Sequence, residues 1–370
     1  MFEAHPELTN LFNMGNQASG AQQQSLAAAL FAYAANIDNA AALGPVVDRI
    51  VQKHLSVGIA AAHYPIVGRY LLGAIQQTLG AAATPPLLAA WDEAYTSLAD
   101  LFITTERALY AEAGIAPGAL RAMRVTARHQ ESAMVLSFVL APVDGLPLPA
   151  FRPGQYVSIA IDFDDGHRQL RQYSLSDAPN QQTYRISVKR EQPPNDLPDG
   201  QVSNWIHEHV ELGSILHVSH PFGEFAPDTE SSAPIVLLSA GIGITPMISA
   251  LNRIVAVNPG RHVLFAHAAL DPAHYSHRHD IATAQAAMPN LQVVTFHESD
   301  AEENVTPDRF ETGRMQIDRL PLWSYADTDV YLCGPAAFMH AQWRGLLAAG
   351  VPAQRLHREV FGPELLDFLD

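Results

Sequence analysis

Arg171-Gln172-Tyr173-Ser174 is the first group of residues in this chain whose types and spacing suit a chemical task. Gly154-Gln155-Tyr156 precedes it, and Gly200-Gln201-Val202-Ser203 follows it. A flavin needs an aromatic wall and polar groups around its ring, and a cation with backbone or hydroxyl donors for its pyrophosphate. Tyr173 and Ser174 suit the ring, while Arg171 and the turn at Gly200–Ser203 suit the phosphates. The structural alternative is that Tyr173 packs across strands and Arg171 is a surface charge.

Gly241-Ile242-Gly243-Ile244-Thr245-Pro246 is a second candidate, because it joins an apolar strand to a helix. Glycines at such a turn allow a pyrophosphate to approach backbone N–H groups at the start of the helix. The motif differs from the usual dinucleotide fingerprint. Pro246 replaces the third glycine, and Arg261 and His262 lie about 20 positions later, where an acidic residue is expected. Taken alone, the motif is weak evidence for nucleotide binding.

His54 is a candidate metal ligand at the end of a helical run with Val47, Ile50 and Val51 on its apolar side. A lone histidine beside an apolar face is more often a packed residue, so His54 alone decides nothing. Other histidines that suggest ligands are His207, His209, His274, His277 and His279. Positions two apart on a helix diverge, and no cysteine or carboxylate group completes a site, so we expect no second metal site.

The elements that carry these residues change type twice along the chain. From Met1 to about Gly114 the apolar residues follow a helical period, and no stretch is typical of a strand. From about Gly118 the period changes to two, as in Tyr156–Asp162, which predicts a small antiparallel barrel or sandwich. From about Ala233 apolar strands alternate with helices, which predicts a parallel sheet covered on both faces.

We therefore predict a multidomain chain with an all-α unit at 1–116, an antiparallel β-barrel at 117–230 and an α/β parallel-sheet unit at 231–370. The strands predicted in the last unit are 235–239, 263–266, 291–296 and 330–333, and its helices are 245–255 and 336–349. A further helix is predicted to begin at Asn204, after the Gly200–Ser203 turn.

The composition excludes several classes of protein. The 48% hydrophobic and 16% charged content is that of a globular chain, neither disordered nor fibrous. A single cysteine, Cys333, excludes an internal disulfide framework, and no basic N-terminus with an apolar run indicates secretion, so a cytoplasmic protein is expected. The net charge of −16 disfavours nucleic acid and anionic membranes as partners. The uncharged run Ser231–Asn252 contains two glycines and two prolines, so it predicts a strand, a turn and a helix rather than a membrane span.

Two further segments complete the set of motifs: Tyr331-Leu332-Cys333-Gly334-Pro335 and Glu359-Val360-Phe361-Gly362-Pro363. The order of the motifs resembles that of the ferredoxin-NADP reductase family. The motifs are Arg-x-Tyr-Ser, Gly-x-x-Ser, Gly-x-Gly-x-Thr-Pro, Cys-Gly-Pro and Phe-Gly-Pro. The resemblance implies that the first two motifs bind FAD, that the next two bind NAD(P)H and that a residue near the C-terminus shields the flavin. It places Cys333 beside the nicotinamide path, although a buried core thiol is the alternative.

The helical segment, joined to this reductase, closely resembles bacterial and fungal flavohaemoglobins. The residues that carry the resemblance are Asn13–Gln17, Gln22, Leu26, Gln52–His54, Tyr64–Gly68, Trp91, Tyr95 and Glu106. It implies a globin fold in which His54 is the proximal ligand of the haem iron and Phe12 packs on the haem. It also implies that Gln22 and Leu26 line the distal pocket.

The same resemblance implies that Tyr64 and Glu106 lie behind His54. A carboxylate and a tyrosine around the far ring nitrogen would fix the tautomer and make the imidazole a stronger donor, which favours O₂ activation. Without the resemblance, Tyr64 and Glu106 would be a packing residue and a solvated charge. The resemblance also places Lys53 and Glu359 near the haem–flavin contact, where they could adjust redox potentials or simply face solvent.

The start of the chain departs from the family, because Met1–Pro6 matches it only from the end of its second helix. About 30 residues of the family pattern, enough for two helices, have no counterpart, among them the tyrosine that hydrogen-bonds iron-bound O₂. Two explanations compete. In one, the start of the sequence has been assigned too far downstream or the sequence has been shortened; in the other, the truncation is real. A real truncation would uncover apolar surface and put the oxygenase activity in doubt.

The resemblance implies a nitric oxide dioxygenase with haem b, FAD and NAD(P)H, which detoxifies NO by converting NO and O₂ to nitrate. It implies small-molecule substrates, no integral membrane association, no obligatory protein partner and a monomer. One alternative is a reductase without haem that passes electrons to free flavins, quinones or ferric chelates. Another is a haem protein that binds O₂ or NO as a sensor or store.

Overall fold

The computed structural model describes residues 1–12, 20–36, 44–192, 199–299 and 309–362. Up to residue 116 the described residues form helices and no strand, as the helical period predicts. The α-helices are α1 (Ala21–Ala35), α2 (Gly44–Val57), α3 (Tyr64–Leu79) and α4 (Pro85–Ala113). Short 3-10 turns lie at Pro6–Asn10, Ala61–His63 and Gly80–Ala82.

Helix α4 provides the surface on which the other helices pack. It begins at Pro85, since a proline suits the first helical position, and it ends before Gly114, which adopts the left-handed conformation with φ 66°. Its buried aromatic residues share one apolar core with α1, α2 and α3; the core includes Leu30, Val51, Leu55, Tyr64, Tyr95 and Phe102.

The middle of the chain is an antiparallel sheet of six strands. The strands are β1 (Leu120–Ser132), β2 (Val135–Pro142), β3 (Tyr156–Asp162), β4 (Arg168–Ser174), β5 (Tyr184–Lys189) and β6 (Ile215–Ser219). Their order is β4-β3-β6-β1-β2-β5, and a bridge between Leu175 and Ile186 joins the two edges. The sheet therefore closes into the predicted barrel. Helix α5 (Gln201–His209) packs Val202 and Ile206 into the barrel core.

The last part of the chain is a parallel sheet. The strands are β7 (Ile235–Ala240), β8 (Val263–Ala269), β9 (Leu291–His297), β10 (Arg309–Thr312), β11 (Asp329–Cys333) and β12 (Leu356–Glu359), in the order β10-β9-β8-β7-β11-β12. Helices α6 (Ile244–Val257), α7 (Arg278–Ala287) and α8 (Ala336–Ala349) accompany them. Leu237 and Leu238 point into two different apolar cores, so the sheet is buried on both faces, as predicted.

The ends of several elements differ from the prediction by a few residues. Helix α5 begins at Gln201, so the predicted start at Asn204 was wrong. The N–H of Asn204 already donates to the carbonyl of Gly200 at 3.0 Å, which makes Gly200 the residue before the helix. Among the helices that the structure describes, none has the length and apolar character needed to cross a membrane.

Candidate functional site

His54, Tyr64 and Glu106 meet inside the helical part of the chain, although they come from three different helices. The Nδ1 atom of His54 lies 2.8 Å from Oε1 of Glu106 and 2.9 Å from the Tyr64 hydroxyl. That hydroxyl donates to the same carboxylate oxygen at 2.5 Å. Burial and this hydrogen bond raise the pKa of Tyr64 well above its usual range, so the phenol keeps its proton.

This arrangement selects one tautomer of His54. The Glu106 carboxylate is 3% exposed and is an acceptor, so Nδ1 carries the ring proton. Nε2 then holds a lone pair, and no residue in the described part of the chain hydrogen-bonds to it. The imidazole is 30% exposed and lies edge-on to Phe102, with ring centroids 5.7 Å apart. An imidazole whose Nδ1 is held by a carboxylate and whose Nε2 has no partner among the described residues is suited to bind haem iron.

Close helix packing holds Tyr64 in place. A Cβ at Gly68 would lie 2.5 Å from Cε1 of Tyr95, so glycine is required for α3 and α4 to approach this closely. Tyr95 then donates to the carbonyl of Tyr64 at 2.7 Å. Burial raises the pKa of Tyr95 to about 12, so it remains a donor at neutral pH. On the other side, Tyr110 donates to the carbonyl of Ile59 at 3.1 Å and ties the end of α2 to α4.

Three residues predicted to surround the haem lie in more open positions. Phe12 is half-buried and packs edge-on against Phe2, with ring centroids 5.3 Å apart. Gln22 on α1 has a buried amide oxygen without a hydrogen-bond partner among the described residues. Leu26, one turn later, is exposed. A buried acceptor without a partner is costly, so the Gln22 oxygen is a group that a ligand or water would satisfy.

Helix α2 also contacts the barrel and the C-terminal segment. Arg49 forms an ion pair with Glu224, with Nε 2.8 Å from Oε1. Gln52 accepts from the N–H of Gly223 at 2.9 Å, and Lys53 donates to the carbonyl of Gly362 at 2.7 Å. Sequence reasoning missed the Arg49–Glu224 pair, because nothing in the local pattern of either residue indicates a partner so far along the chain.

Glu359 lies in the same region, but no hydrogen bond joins its side chain to that of Lys53. Its Oε1 accepts from the N–H of Val360 at 3.1 Å, while Oε2 is buried and has no partner among the described residues. Burial and the charge of Glu224 raise the pKa of Glu359 to about 8, against the opposing effect of Lys53. Burial lowers the pKa of Lys53. The two groups therefore interact through space rather than as a direct ion pair.

Strand β4 carries the residues predicted to hold a flavin. Arg171 donates to the carbonyl of Leu170 at 2.8 Å and to Oε1 of Gln169 at 3.1 Å, and no carboxylate in the described part of the chain forms an ion pair with it. Burial lowers the pKa of Arg171, so an anion there would relieve an unbalanced charge. Gln172 donates to the Ser158 hydroxyl at 3.1 Å.

The remaining flavin candidates line the same strand and its neighbour. Tyr173 is half-buried against the barrel core, and the hydroxyl of Ser174 is buried without a partner in the described structure. Tyr156 begins β3 and forms two backbone hydrogen bonds of 2.9 Å with Phe222. A Cβ at Gly223, where φ is 125°, would lie 3.0 Å from the Tyr156 ring, so this position requires glycine. Tyr156 thus lies where the barrel meets α2.

The turn at Gly200–Ser203 opens helix α5. The hydroxyl of Ser203 accepts from the N–H of Glu191 at 3.1 Å and donates to the carbonyl of Gly200 at 3.0 Å. Gln201 is exposed, whereas Val202 is buried in the barrel core. The N–H groups of the first helical turn have no acceptor within the helix, which leaves them available to a phosphate.

The turn at Gly241–Gly243 joins the carboxyl end of β7 to α6. A Cβ at Gly243 would overlap the carbonyl of Cys333 on the neighbouring strand β11, so the close approach of the two strand ends requires glycine. Ile244, Thr245 and Pro246 form the buried first turn of α6, and Thr245 donates to the carbonyl of Ile242 at 3.0 Å. Proline is tolerated there because the first N–H groups of a helix lack acceptors, which explains its presence in place of a third glycine.

Strands β7, β11 and β12 bring the two C-terminal motifs to the same edge. Ser239, Cys333 and Glu359 lie side by side in register. Burial raises the pKa of the Cys333 thiol well above its usual range, so the thiol stays protonated. Gly334 and Pro335 lead into α8, and Val360, Phe361 and Gly362 follow β12. Phe361 is 47% exposed, and Pro363, the last residue predicted here, lies outside the described residues.

Asp271 is a candidate for the acidic residue of the dinucleotide fingerprint, and sequence reasoning missed it. Strand β8 continues to Ala269, so the acidic residue after this strand comes later than the usual spacing suggests. Its Oδ1 accepts from the backbone N–H of His274 at 3.0 Å and lies 2.7 Å from Nδ1 of the same residue. The length of the apolar run beginning at Val263 is the signal that could have located it.

The sequence indicated no carboxylate group that would complete a site with the histidines, but the structure brings two carboxylates to His277. Its Nδ1 lies 3.0 Å from Oδ2 of Asp280 and 3.8 Å from Oε2 of Glu131. Glu131 belongs to strand β1 of the barrel, so no local spacing reveals this group.

The described residues fit the cofactors that the motifs predict. The free Nε2 of His54 is a group that the iron of a bound haem would satisfy. The buried oxygen of Gln22 is an acceptor that a hydrogen-bond donor such as water would satisfy. The unpaired guanidinium of Arg171 and the buried hydroxyl of Ser174 are groups that the pyrophosphate and ring of FAD would satisfy.

Two protein families match parts of the chain. A globin profile matches residues 1–102, and the profile of the oxidoreductase NAD-binding domain matches residues 237–343.

Curated relatives match almost the whole chain. The flavohemoprotein of Bordetella parapertussis is 45% identical over 372 residues, which covers 98% of this chain and 91% of the relative. The flavohemoprotein of Rhizobium meliloti is 40% identical over 371 residues and covers 99% of this chain and 92% of the relative.

Solved structures agree with these matches. The flavohemoglobin of Malassezia yamatoensis with bound FAD and heme has a TM-score of 0.85 and 28% identity, and covers 98% of this chain and 91% of that one. The FAD/NAD-binding domain of the nitric oxide dioxygenase of Vibrio cholerae has a TM-score of 0.60 and 36% identity, and covers 66% of this chain and 99% of that one.

Proposed function

The chain belongs to the flavohemoprotein family, and from this membership we propose that it is an NAD(P)H-dependent nitric oxide dioxygenase. It is an oxidoreductase with haem, FAD and NAD(P)H as cofactors. In the proposed reaction, two molecules of NO and two of O₂ become two nitrate ions, while NAD(P)H is oxidised to NAD(P)⁺ with release of one proton.

The observation that carries the proposal is the hydrogen-bonded group of His54, Tyr64 and Glu106. Glu106 accepts a hydrogen bond from the Nδ1–H of His54 and so increases the electron density at Nε2, the proposed iron ligand. An electron-rich proximal ligand favours reaction of O₂ over its reversible binding. Tyr64 holds the carboxylate in position, and this role supports an enzyme rather than an oxygen store.

Haem supplies the iron at which O₂ and NO react, and FAD converts a two-electron hydride into single electrons. We assign Phe12, Gln22 and Leu26 to the surroundings of the haem. Arg171, Gln201, Val202 and Ser203 bind the FAD pyrophosphate in this proposal, and Tyr156, Gln172, Tyr173 and Ser174 surround its ring. The nicotinamide nucleotide is assigned to Gly241–Pro246 and Cys333–Pro335, and the flavin shield to the segment from Glu359 to Gly362.

Helix α2 supports electron transfer within one chain. It carries His54, and its neighbours Gln52 and Lys53 contact the barrel at Gly223 and the C-terminal segment at Gly362. Since the helix that carries His54 contacts both the barrel and the C-terminal segment, the proposed electron transfer requires no second protein.

The test measures NO consumption by purified holoenzyme under air with an NO electrode. We expect NAD(P)H to accelerate the loss of NO and nitrate to accumulate in equal amount. A His54→Ala variant is expected to lose haem and NO consumption but to retain NAD(P)H-dependent reduction of ferricyanide. The proposal fails if haem-replete protein consumes NO no faster with NAD(P)H than without it.

A further inference from the structure

We infer that Asp280 is a positioning residue, which holds the nucleotide-binding sheet against the barrel so that NAD(P)H meets FAD at hydride-transfer distance. The inference rests on the reductase half of the proposed function and does not require the NO chemistry.

Asp280 lies at the contact between the two sheets and is 8% exposed. Its Oδ1 accepts from Nη2 of Arg185 at 2.9 Å and from the amide of Asn252 at 2.8 Å, and its Oδ2 lies 3.0 Å from Nδ1 of His277. Burial alone would raise its pKa, but His277 and the Arg185 guanidinium hold the pKa of Asp280 well below its usual range. The carboxylate therefore stays charged and accepts three hydrogen bonds.

These contacts continue to the strand of the flavin site. Arg185 on β5 donates from Nε to the carbonyl of Ser176 at 3.1 Å, two residues after the end of β4. The next residue, Asp177, accepts two hydrogen bonds. Its Oδ1 accepts from the amide of Asn252 at 2.9 Å, and its backbone carbonyl accepts from the Ser249 hydroxyl at 2.7 Å. Both partners of Asp177 lie on α6.

Helix α6 connects the same contacts to the nucleotide turn. It begins directly after Gly243, and Asn252 lies roughly 12 Å along the helix axis from its first residue, at 1.5 Å per residue. A helix transmits displacement as a rigid rod, so a shift at Asn252 moves the Gly241–Gly243 turn relative to β4. Hydride transfer needs reacting atoms about 3–3.5 Å apart, and an error of about 1 Å can reduce the rate about 100-fold.

The backbone at His277 supports a positioning role. Among the residues that the structure describes, His277 alone combines a side chain with a positive φ, of 61°. Such a conformation persists where surrounding contacts enforce it. Here it directs the imidazole, which is fully buried, at Asp280.

A metal ion at Glu131, His277 and Asp280 is the alternative. Arg185 already neutralises Asp280, and Nε2 of His277 is buried without a hydrogen-bond partner in the described structure. A metal-bound histidine usually donates its second ring N–H to an acceptor. Because Nε2 of His277 has no such acceptor among the described residues, the group is better suited to joining the sheets than to holding a metal.

In the step concerned, the C4–H bond of the reduced nicotinamide breaks and the hydride carries both electrons to N5 of FAD, leaving NAD(P)⁺. Asp280 exchanges neither proton nor electron in this step. It acts through Arg185 and Asn252 on the distance between the two rings.

Two substitutions of unchanged size test the inference in the holoenzyme. Asp280→Asn removes the charge that Arg185 and His277 bind. Asn252→Asp brings a third carboxylate beside Asp177 and Asp280, whose repulsion should separate the sheets. The exposed Asp318 lies in the same part of the chain, and Asp318→Asn is the matched control.

Three measurements are made on each variant: kcat and KM for NAD(P)H with ferricyanide as acceptor, the long-wavelength absorbance of nicotinamide stacked on flavin, and hydrogen exchange of residues 272–287 without nucleotide. We expect kcat to fall by about tenfold or more with little change in KM, together with weaker stacking absorbance and faster exchange. Full FAD content should be kept, and Asp318→Asn should match the wild type.

Unchanged kcat and stacking absorbance in both variants would overturn the inference, even with faster exchange. So would a rise in KM alone, which indicates nucleotide binding, or loss of FAD, which indicates damage to the barrel. A wild-type protein that cannot reduce ferricyanide with NAD(P)H would overturn the reductase proposal together with this inference. Failure of NO consumption alone would leave the inference standing.

Discussion

Nδ1 of His54 on α2 and Oε1 of Glu106 on α4 lie 2.8 Å apart, and close packing of Gly68 against Tyr95 holds α3, which carries Tyr64, against α4. The contact leaves Nε2 of His54 as the ring atom with a free lone pair. It is the geometry on which the proposed oxygen chemistry depends.

Glu106→Gln tests this contact, because the amide keeps the shape of the carboxylate but not its charge. We expect haem to be retained and NO consumption to fall by about 10- to 100-fold, the usual effect of removing the hydrogen-bond partner of a metal-bound histidine. The iron–histidine stretching frequency, measured by resonance Raman spectroscopy, should fall as well. Glu112→Gln changes an exposed carboxylate on the same helix and should alter neither quantity. An unchanged frequency in Glu106→Gln would refute the role of the carboxylate.

Arg171→Gln tests the proposed phosphate contact of FAD. Loss of a charge-assisted hydrogen bond costs about 1.5–3 kcal/mol, so FAD should bind about 10- to 100-fold more weakly. Titration of apoprotein with FAD, followed by flavin fluorescence, measures the change. Arg168 lies on the same strand but pairs with Asp162, so Arg168→Gln is the control. Equal affinities of the two variants for FAD would remove Arg171 from the site.

Gly243→Ala should disturb the nucleotide turn, because the added Cβ would overlap the carbonyl of Cys333. Overpacking of this kind costs about 1–3 kcal/mol. We expect a lower melting temperature and a higher KM for NAD(P)H in ferricyanide reduction. Gly260 has open space where a Cβ would lie, so Gly260→Ala should behave as the wild type. A wild-type KM in Gly243→Ala would contradict the assignment of the turn.

The raised pKa of the Glu359 carboxyl should make the stability of the folded protein depend on pH. Its pKa is about 8 in the folded protein and has the ordinary value of 4.5 in the unfolded chain, because burial disfavours the charged form. Between pH 4.5 and about pH 8 the folded protein binds more protons at this carboxyl than the unfolded chain does. The free energy of unfolding should therefore fall as pH rises, by at most about 1.4 kcal/mol per pH unit. Glu359→Gln lacks this term, so its stability relative to wild type should increase from pH 5 to pH 7.5.

Urea unfolding at several pH values measures this difference. The exposed Glu211 provides the control, since Glu211→Gln should leave the pH dependence unchanged. Parallel stability curves for wild type and Glu359→Gln would show that the carboxyl titrates normally.

The types of the elements could be predicted from the sequence, because periodicity reflects local burial. Alternation in Tyr156–Asp162 predicted β3 with its observed ends, and the apolar run that begins at Val263 predicted β8. The glycine turn at Gly241–Gly243 was also found locally, since a close backbone approach requires glycine whatever the partner. The start of α5 was misplaced because its first turn, Gln201–Ser203, lacks a strong helix signal.

The sequence by itself determined the order of helices, barrel and parallel sheet, and the short motifs that mark each cofactor. Tertiary structure decided which distant groups meet: Arg49 with Glu224, and Asp280 with Arg185. It also placed Glu131 beside His277, which local spacing did not predict. The physical reason is that helix and strand periods depend on near neighbours, whereas these pairings depend on how finished elements pack, and residue spacing along a chain does not specify that packing.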